Sequence, residues 1–121
     1  MIGKSRSLEI EGRRFHFMDW GRSEETILLI HGDMRTSRSF DAISRRLSNN
    51  FRVVSLDLLG HGESDWLTSG YRFKDKAENI GQFLRIAGLE KVTAVAHSSG
   101  AVALSLQAKD HPNQFKRLVL M

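Results

Sequence analysis

At 121 residues and 40% hydrophobic, the chain can bury one modest core, and no Pro/Gly/Ser-rich linker divides it, leaving one domain or part of one. Its formal net charge of +4 is scattered, Arg13-Arg14 and Arg45-Arg46 read as solvated surface, and no aromatic-interleaved basic motif is present, so nucleic acid is not an expected partner. The lack of cysteine excludes disulfides and thiolate metal sites, residues 1–7 lack an apolar leader, and no stretch approaches roughly 18 apolar residues, so a cytoplasmic chain without membrane contact is expected.

Short alternating patterns at residues 7–10 and 14–18, separated by Glu11-Gly12-Arg13, predict a hairpin of antiparallel edge strands turning at Gly12. Residues 26–30 form a continuous apolar run, as in a strand buried on both faces of a parallel sheet, and end in His31-Gly32-Asp33-Met34. A helix follows, capped by Ser37 or Ser39, with Phe40, Ile43 and Leu47 as its buried stripe. A second β-branched run at 52–56 enters Asp57-Leu58-Leu59-Gly60-His61-Gly62-Glu63-Ser64. Between about residues 73 and 87, Ala77, Ile80, Phe83, Leu84 and Ala87 share one helical face, and Gly88 is placed to stop the helix. Residues 91–96 predict the third buried strand, followed by a helix from Ser99 to Lys109 that is apolar nearly all round and so packs deep against the sheet. Pro112 helps to end that helix, and residues 118–121 begin a further strand.

Strands separated by helices of this length predict an α/β fold: a mostly parallel sheet with right-handed crossovers and an N-terminal antiparallel hairpin. The unusual residues all fall in loops at the carboxyl ends of the parallel strands, the edge where open α/β sheets bind ligands. Within Ala96-His97-Ser98-Ser99-Gly100, a serine on a sharp strand-to-helix turn needs small residues two before and two after it. Ser98, flanked by Ala96 and Gly100, meets that condition. Ser99, flanked by His97 and Ala101, does not. Ser98 is therefore the candidate nucleophile of a nucleophile elbow, with Ala96 in place of the first glycine of G-x-S-x-G.

Taken together, H-G-D-M, D-L-L-G-H-G-E-S and A-H-S-S-G resemble the first half of an α/β-hydrolase-fold protein of the serine type, over residues 7–121. The resemblance implies that Ser98 attacks an ester-like carbonyl, with an oxyanion hole made by the backbone N–H groups of Ser99 and Asp33; Met34 is the secondary choice for the latter donor. Its substrate would be a small acyl compound, without a cofactor or metal. Proline is common in relatives where Met34 stands here, and the Asp33 carboxylate beside the expected donor opposes an oxyanion unless it turns away; the surface preference of Asp favours a solvated side chain.

In the family, His31 and His61 organise loops, His97 is not the base, and Asp57 fixes its loop. His111 lies on the opposite sheet edge, and His16 is read as an exposed structural histidine of the hairpin. The acid and catalytic histidine follow later strands in the family. Residues 1–121 are thus expected to be the N-terminal part of one α/β-hydrolase domain, lacking its C-terminal strands, lid, acid and histidine, and inactive alone. Two alternatives stand beside a serine hydrolase. One is a cofactor-independent oxygenase of the same fold, in which a His-Ser pair such as His97-Ser98 binds substrate. The other is a shortened non-catalytic member that dimerises through the exposed C-terminal sheet edge.

Overall fold

The computed structural model describes residues 2–121. Strands β1 (Lys4–Ile10) and β2 (Arg13–Trp20) pair antiparallel, with Ile10 opposite Arg13. The two residues between them, Glu11 and Gly12, both have positive φ (51° and 78°), the twist that a two-residue hairpin connection demands. Strand β3 (Thr26–Ile30) leads through a 3-10 turn (Ser37–Phe40) into α1 (Asp41–Leu47) and then β4 (Arg52–Leu56). Helix α2 (Phe73–Ala87), β5 (Val92–Ala96), α3 (Ser99–Asp110), a second 3-10 turn (Pro112–Gln114) and β6 (Phe115–Leu120) complete the order. The six strands lie side by side as β1-β2-β4-β3-β5-β6, with β4, β3, β5 and β6 parallel.

Both faces of the sheet are covered over its central strands β3 and β4, which explains their uninterrupted apolar runs. Leu28 and Ile30 point with Val54, Leu56, Ala94 and Ala96 toward Ile80, Phe83 and Leu84 of α2 and Ala103 and Leu104 of α3. Ile27 and Leu29 point the other way with Val53 and Trp20, toward Phe40 and Leu47. Phe83 is fully buried and meets Phe17 edge-on, their ring centres 5.1 Å apart. Gly88 ends α2 in the left-handed conformation, φ 70°, as its position implies.

Several expectations are corrected. Strand β2 is interior, because it also pairs antiparallel with β4; only β1 is an edge strand of the hairpin. Neither Ser37 nor Ser39 caps the helix after β3: the Thr36 side chain accepts the Arg38 N–H and starts a 3-10 turn instead. The α-helix proper is only seven residues long, too short for a three-residue stripe, and Ile43 is half exposed while Phe40 and Leu47 pack inward. Helix α3 is not buried all round; Val102 and Leu106, four residues apart, lie on its outer side and are exposed. Strand β6 starts at Phe115, three residues before the expected point, and as an edge strand leaves Leu118, Val119 and Leu120 exposed. Among the described residues, no helix is long and apolar enough to cross a membrane.

Phe83→Ala is expected to destabilise the fold by about 3–5 kcal/mol, the cost of losing a buried ring and leaving its cavity. Val102→Ser should stay within about 0.5 kcal/mol, because its side chain already faces water. Chemical denaturation of the two variants checks both values.

Candidate active site

The chain runs from β3 to β4 on one side and from β5 to β6 on the other, so its connections diverge between the carboxyl ends of β3 and β5. A crevice opens at such a switch point. The residues there are His31, Gly32 and Asp33 from one strand and His97, Ser98 and Ser99 from the next. The two loops are joined by the His97 N–H, which donates to the Ile30 carbonyl at 3.1 Å, while the Ser98 N–H donates at 2.8 Å to the carbonyl of Met121, just after β6. A Cβ on Gly100 would collide with the His31 carbonyl oxygen, and one on Gly32 would lie 3.1 Å from the Ser98 Cβ. Glycine at both positions lets the two loops touch.

Ser98 sits between β5 and α3 with φ 55° and ψ −122°, and it is exposed. Positive φ at a non-glycine residue costs on the order of 1–3 kcal/mol and persists only where neighbouring bonds enforce it. Here the bond to Met121 enforces it from one side, and the first turn of α3 from the other: the Gly100 and Ala101 N–H groups donate to the His97 and Ser98 carbonyls. Among the described residues, the N–H groups of Ser99, Asp33 and Met34 have no backbone acceptor. Ser99 is also the first residue of α3, where helix N–H groups are unpaired and the dipole end is positive. The structure therefore places Ser98 beside two loops that each offer a free backbone donor.

Asp33 is not simply solvated. Its side chain is 61% exposed, yet its Oδ1 accepts from the Lys76 ammonium at 3.1 Å, and Lys76 is itself buried on α2. The bond from Lys76, then the Ser99 hydroxyl, hold the Asp33 carboxyl below its ordinary value. Lys76 escaped the sequence reading although a signal existed: it lies four residues before Ile80 and seven before Phe83, on the buried stripe of α2.

His31 is buried, and its protonation pattern follows from its partners. Nε2 accepts from the Leu58 N–H at 3.1 Å, so Nδ1 carries the proton and donates to the Gly32 carbonyl at 2.7 Å. Burial holds the ring below its ordinary value of 6.5, against the pull of the Gly32 carbonyl. His31 thus ties the loop after β3 to the loop after β4, and the His61 ring lies against it, centres 4.8 Å apart.

His16 is the clearest correction. It is buried, not exposed: Nδ1 donates to Asp57 Oδ2 at 2.7 Å, and Nε2 faces the Ser5 hydroxyl at 2.6 Å. The hairpin alternation gave no warning, because the partner lies 41 residues away. Asp57 also accepts from the backbone N–H groups of Ser37, at 2.6 Å, and Glu63, at 3.1 Å. Burial alone would raise the Asp57 carboxyl, but these donors outweigh it and hold it below its ordinary value. Ser64 completes the set, its hydroxyl donating to the Asp57 carbonyl and accepting from the His16 N–H. His16 and His31 have both ring nitrogens engaged by these partners, and His61 Nδ1 faces the Leu59 carbonyl at 3.2 Å. His111 is exposed just before β6, at the other edge of the sheet. A depression of about 260 Å³ beside the crevice is lined by His31, Gly32, Arg35, Phe40, His97 and Met121. Among the described residues, no group of three metal-ligating side chains converges.

These bonds set a pH dependence. For His31, folding lowers the pKa, so its contribution to stability is full above 6.5 and is lost as pH falls below that value. For Asp57 the folded value is also lowered, so its contribution is present above 3.8 and is lost as pH falls through the depressed folded value. Urea midpoints measured from about pH 8 to about pH 3 are expected to be level at first, then fall in two stages. His31→Gln should remove the first stage.

The comparisons with known proteins agree with this architecture. Residues 25–121 match the family model described as alpha/beta hydrolase fold. The chain is 34% identical over 99 residues to an uncharacterized protein of Mycobacterium tuberculosis, covering 82% of this chain and 29% of the relative. It is 30% identical over 113 residues to epoxide hydrolase 4 of Mus musculus, covering 91% of this chain and 32% of that protein. Among solved structures, the thioesterase domain from the curacin biosynthetic pathway superposes with a TM-score of 0.91 at 26% identity, covering all of this chain and 46% of that one. The chain thus spans about a third of the length of the curated relatives it matches. The parallel sheet, the exposed serine at its switch point and the family match lead to one conclusion: this chain belongs to the alpha/beta hydrolase fold family.

Proposed function

We propose that the protein bearing this chain is a serine hydrolase acting on a small ester, lactone or thioester, with Ser98 as nucleophile. The observation that carries this reading is the conformation of Ser98, exposed and held at φ 55° on the turn into α3, beside free N–H groups on two loops. In the proposed step, Ser98 Oγ bonds to the acyl carbon as its proton passes to a base, and the carbonyl electrons move onto oxygen. The Ser99 and Asp33 N–H groups then receive that oxyanion. Donors aimed at developing charge contribute about 3–4 kcal/mol each to lowering such a barrier. The positive end of α3 adds to their effect.

The reading assigns the base to a residue outside 2–121, as the resemblance of the three motifs implies; His16 and His31 already have both ring nitrogens engaged. Family relatives include proteins named for epoxide hydrolysis. An acyl substrate is favoured here because paired backbone donors suit the oxygen of a tetrahedral acyl intermediate.

In the gene product carrying this sequence, a fluorophosphonate is expected to label Ser98. Ser98→Ala should abolish that labelling and lower ester turnover by at least about 10⁴-fold, the scale of losing a nucleophile that works as a unit with its base. Undiminished labelling of the variant, or turnover of styrene oxide without turnover of p-nitrophenyl acetate, would overturn the assignment.

A further inference from the structure

A lysine whose side chain is only 10% exposed needs a reason to be inside, since removing an ammonium from water is costly unless it is paired. Lys76 projects from the first turns of α2. Its ammonium lies 3.1 Å from Asp33 Oδ1 and 5.4 Å from the centre of the Phe73 ring, which offers it a π-face. Asp33 belongs to the loop after β3, so this one pair ties that loop to a helix 43 residues further along the chain. The pair therefore joins the first turns of α2 to the loop that supplies the Asp33 N–H assigned to the oxyanion.

We infer that Lys76 is a positioning residue for the oxyanion site: by pairing with Asp33 it fixes the loop that carries the Asp33 N–H and cancels the carboxylate charge beside the developing negative oxygen. The inference rests on the acyl-transfer reading above. A carboxylate next to an oxyanion donor acts against the transition state, and it does so more strongly where water is partly excluded. Asp33 without a counter-ion would therefore harm the reaction that its own N–H assists. Lys76 resolves that conflict through Asp33, to which its ammonium is bonded, with the Phe73 ring as its other neighbour. The His61 ring also lies on this side of the crevice and acts on the Asp33 carboxyl in the same direction as Lys76. Asp33 is then a strut whose charge must be matched, and Lys76 is the group that matches it.

The test has two arms. In the chain itself, carbon-13 NMR of the Asp33 carboxyl during an acid titration should show its midpoint move upward in Lys76→Met; an unmoved midpoint overturns the pairing. In the gene product carrying this sequence, the second-order rate of fluorophosphonate labelling at Ser98 should fall about 10- to 100-fold in Lys76→Met, the effect expected of an uncompensated charge near the reacting oxygen. Adding Asp33→Asn to Lys76→Met should recover at least about five-fold of that rate, because the unmatched charge is gone. A purely structural role for Lys76 predicts the reverse, a double variant no faster than the single one, and that result overturns the inference. Lys76→Gln, which keeps a hydrogen-bonding group without the charge, replaces Lys76→Met should the latter fail to fold, and the same rescue is required of it. Absence of Ser98-dependent labelling in the unaltered protein would overturn the hydrolase reading together with this inference, whereas normal labelling that ignores Lys76 would overturn the inference alone.

Discussion

The structure around the crevice depends on one steric constraint: the backbone of α3 begins in contact with the backbone that leaves β3. Gly100 lies so close to the His31 carbonyl and the Ile30 side chain that no Cβ fits there. Because α3 must start at that point, the chain leaving β5 has only His97 and Ser98 in which to turn, and the positive φ of Ser98 is the consequence. The contact therefore produces both the exposure of Ser98 and the free N–H of Ser99. Strain at Ser98 is sustained by cross-strand bonds to Ile30 and Met121 rather than by any local preference of serine.

A second layer of buried polar bonds makes the platform rigid. His31 spans the loops after β3 and β4, while Asp57 gathers the 3-10 turn, the loop after β4 and the interior strand of the hairpin. Each of these groups is satisfied by partners of complementary role, and it is this satisfaction that makes burial tolerable. The hairpin, remote from the crevice in sequence and in topology, thus still bears on it: His16 is the donor that helps to keep Asp57 ionised beneath the Gly60-His61-Gly62 loop.

Two sources of positive charge border the crevice. The amino end of α3 and the buried Lys76 contribute positive potential, and the Asp33 carboxylate balances the latter at 3.1 Å. The surrounding surface stays open, with Ser98 and His97 exposed and only a shallow depression beside them.

Local rules written along the chain determined the strands, the stops and the choice between two serines. An apolar run such as 26–30 can be satisfied only by a strand covered on both faces. Gly88 ends a helix because glycine accepts the left-handed conformation, and small residues at 96 and 100 mark Ser98, not Ser99, as the residue on the turn into α3. These signals span a few residues, and the observed elements agree with them to within a few positions. Tertiary structure alone decided which polar groups meet. His16 finds Asp57 across 41 residues and Lys76 finds Asp33 across 43, so neither pairing leaves a trace in local periodicity. It also decided that α1 is too short to bury Ile43 and that α3 leaves Val102 and Leu106 in water, because burial depends on what the rest of the sheet places opposite each face. Sequence patterns report what a residue can do beside its neighbours, whereas the partners of a buried charge are chosen by the packing of segments far apart in the chain.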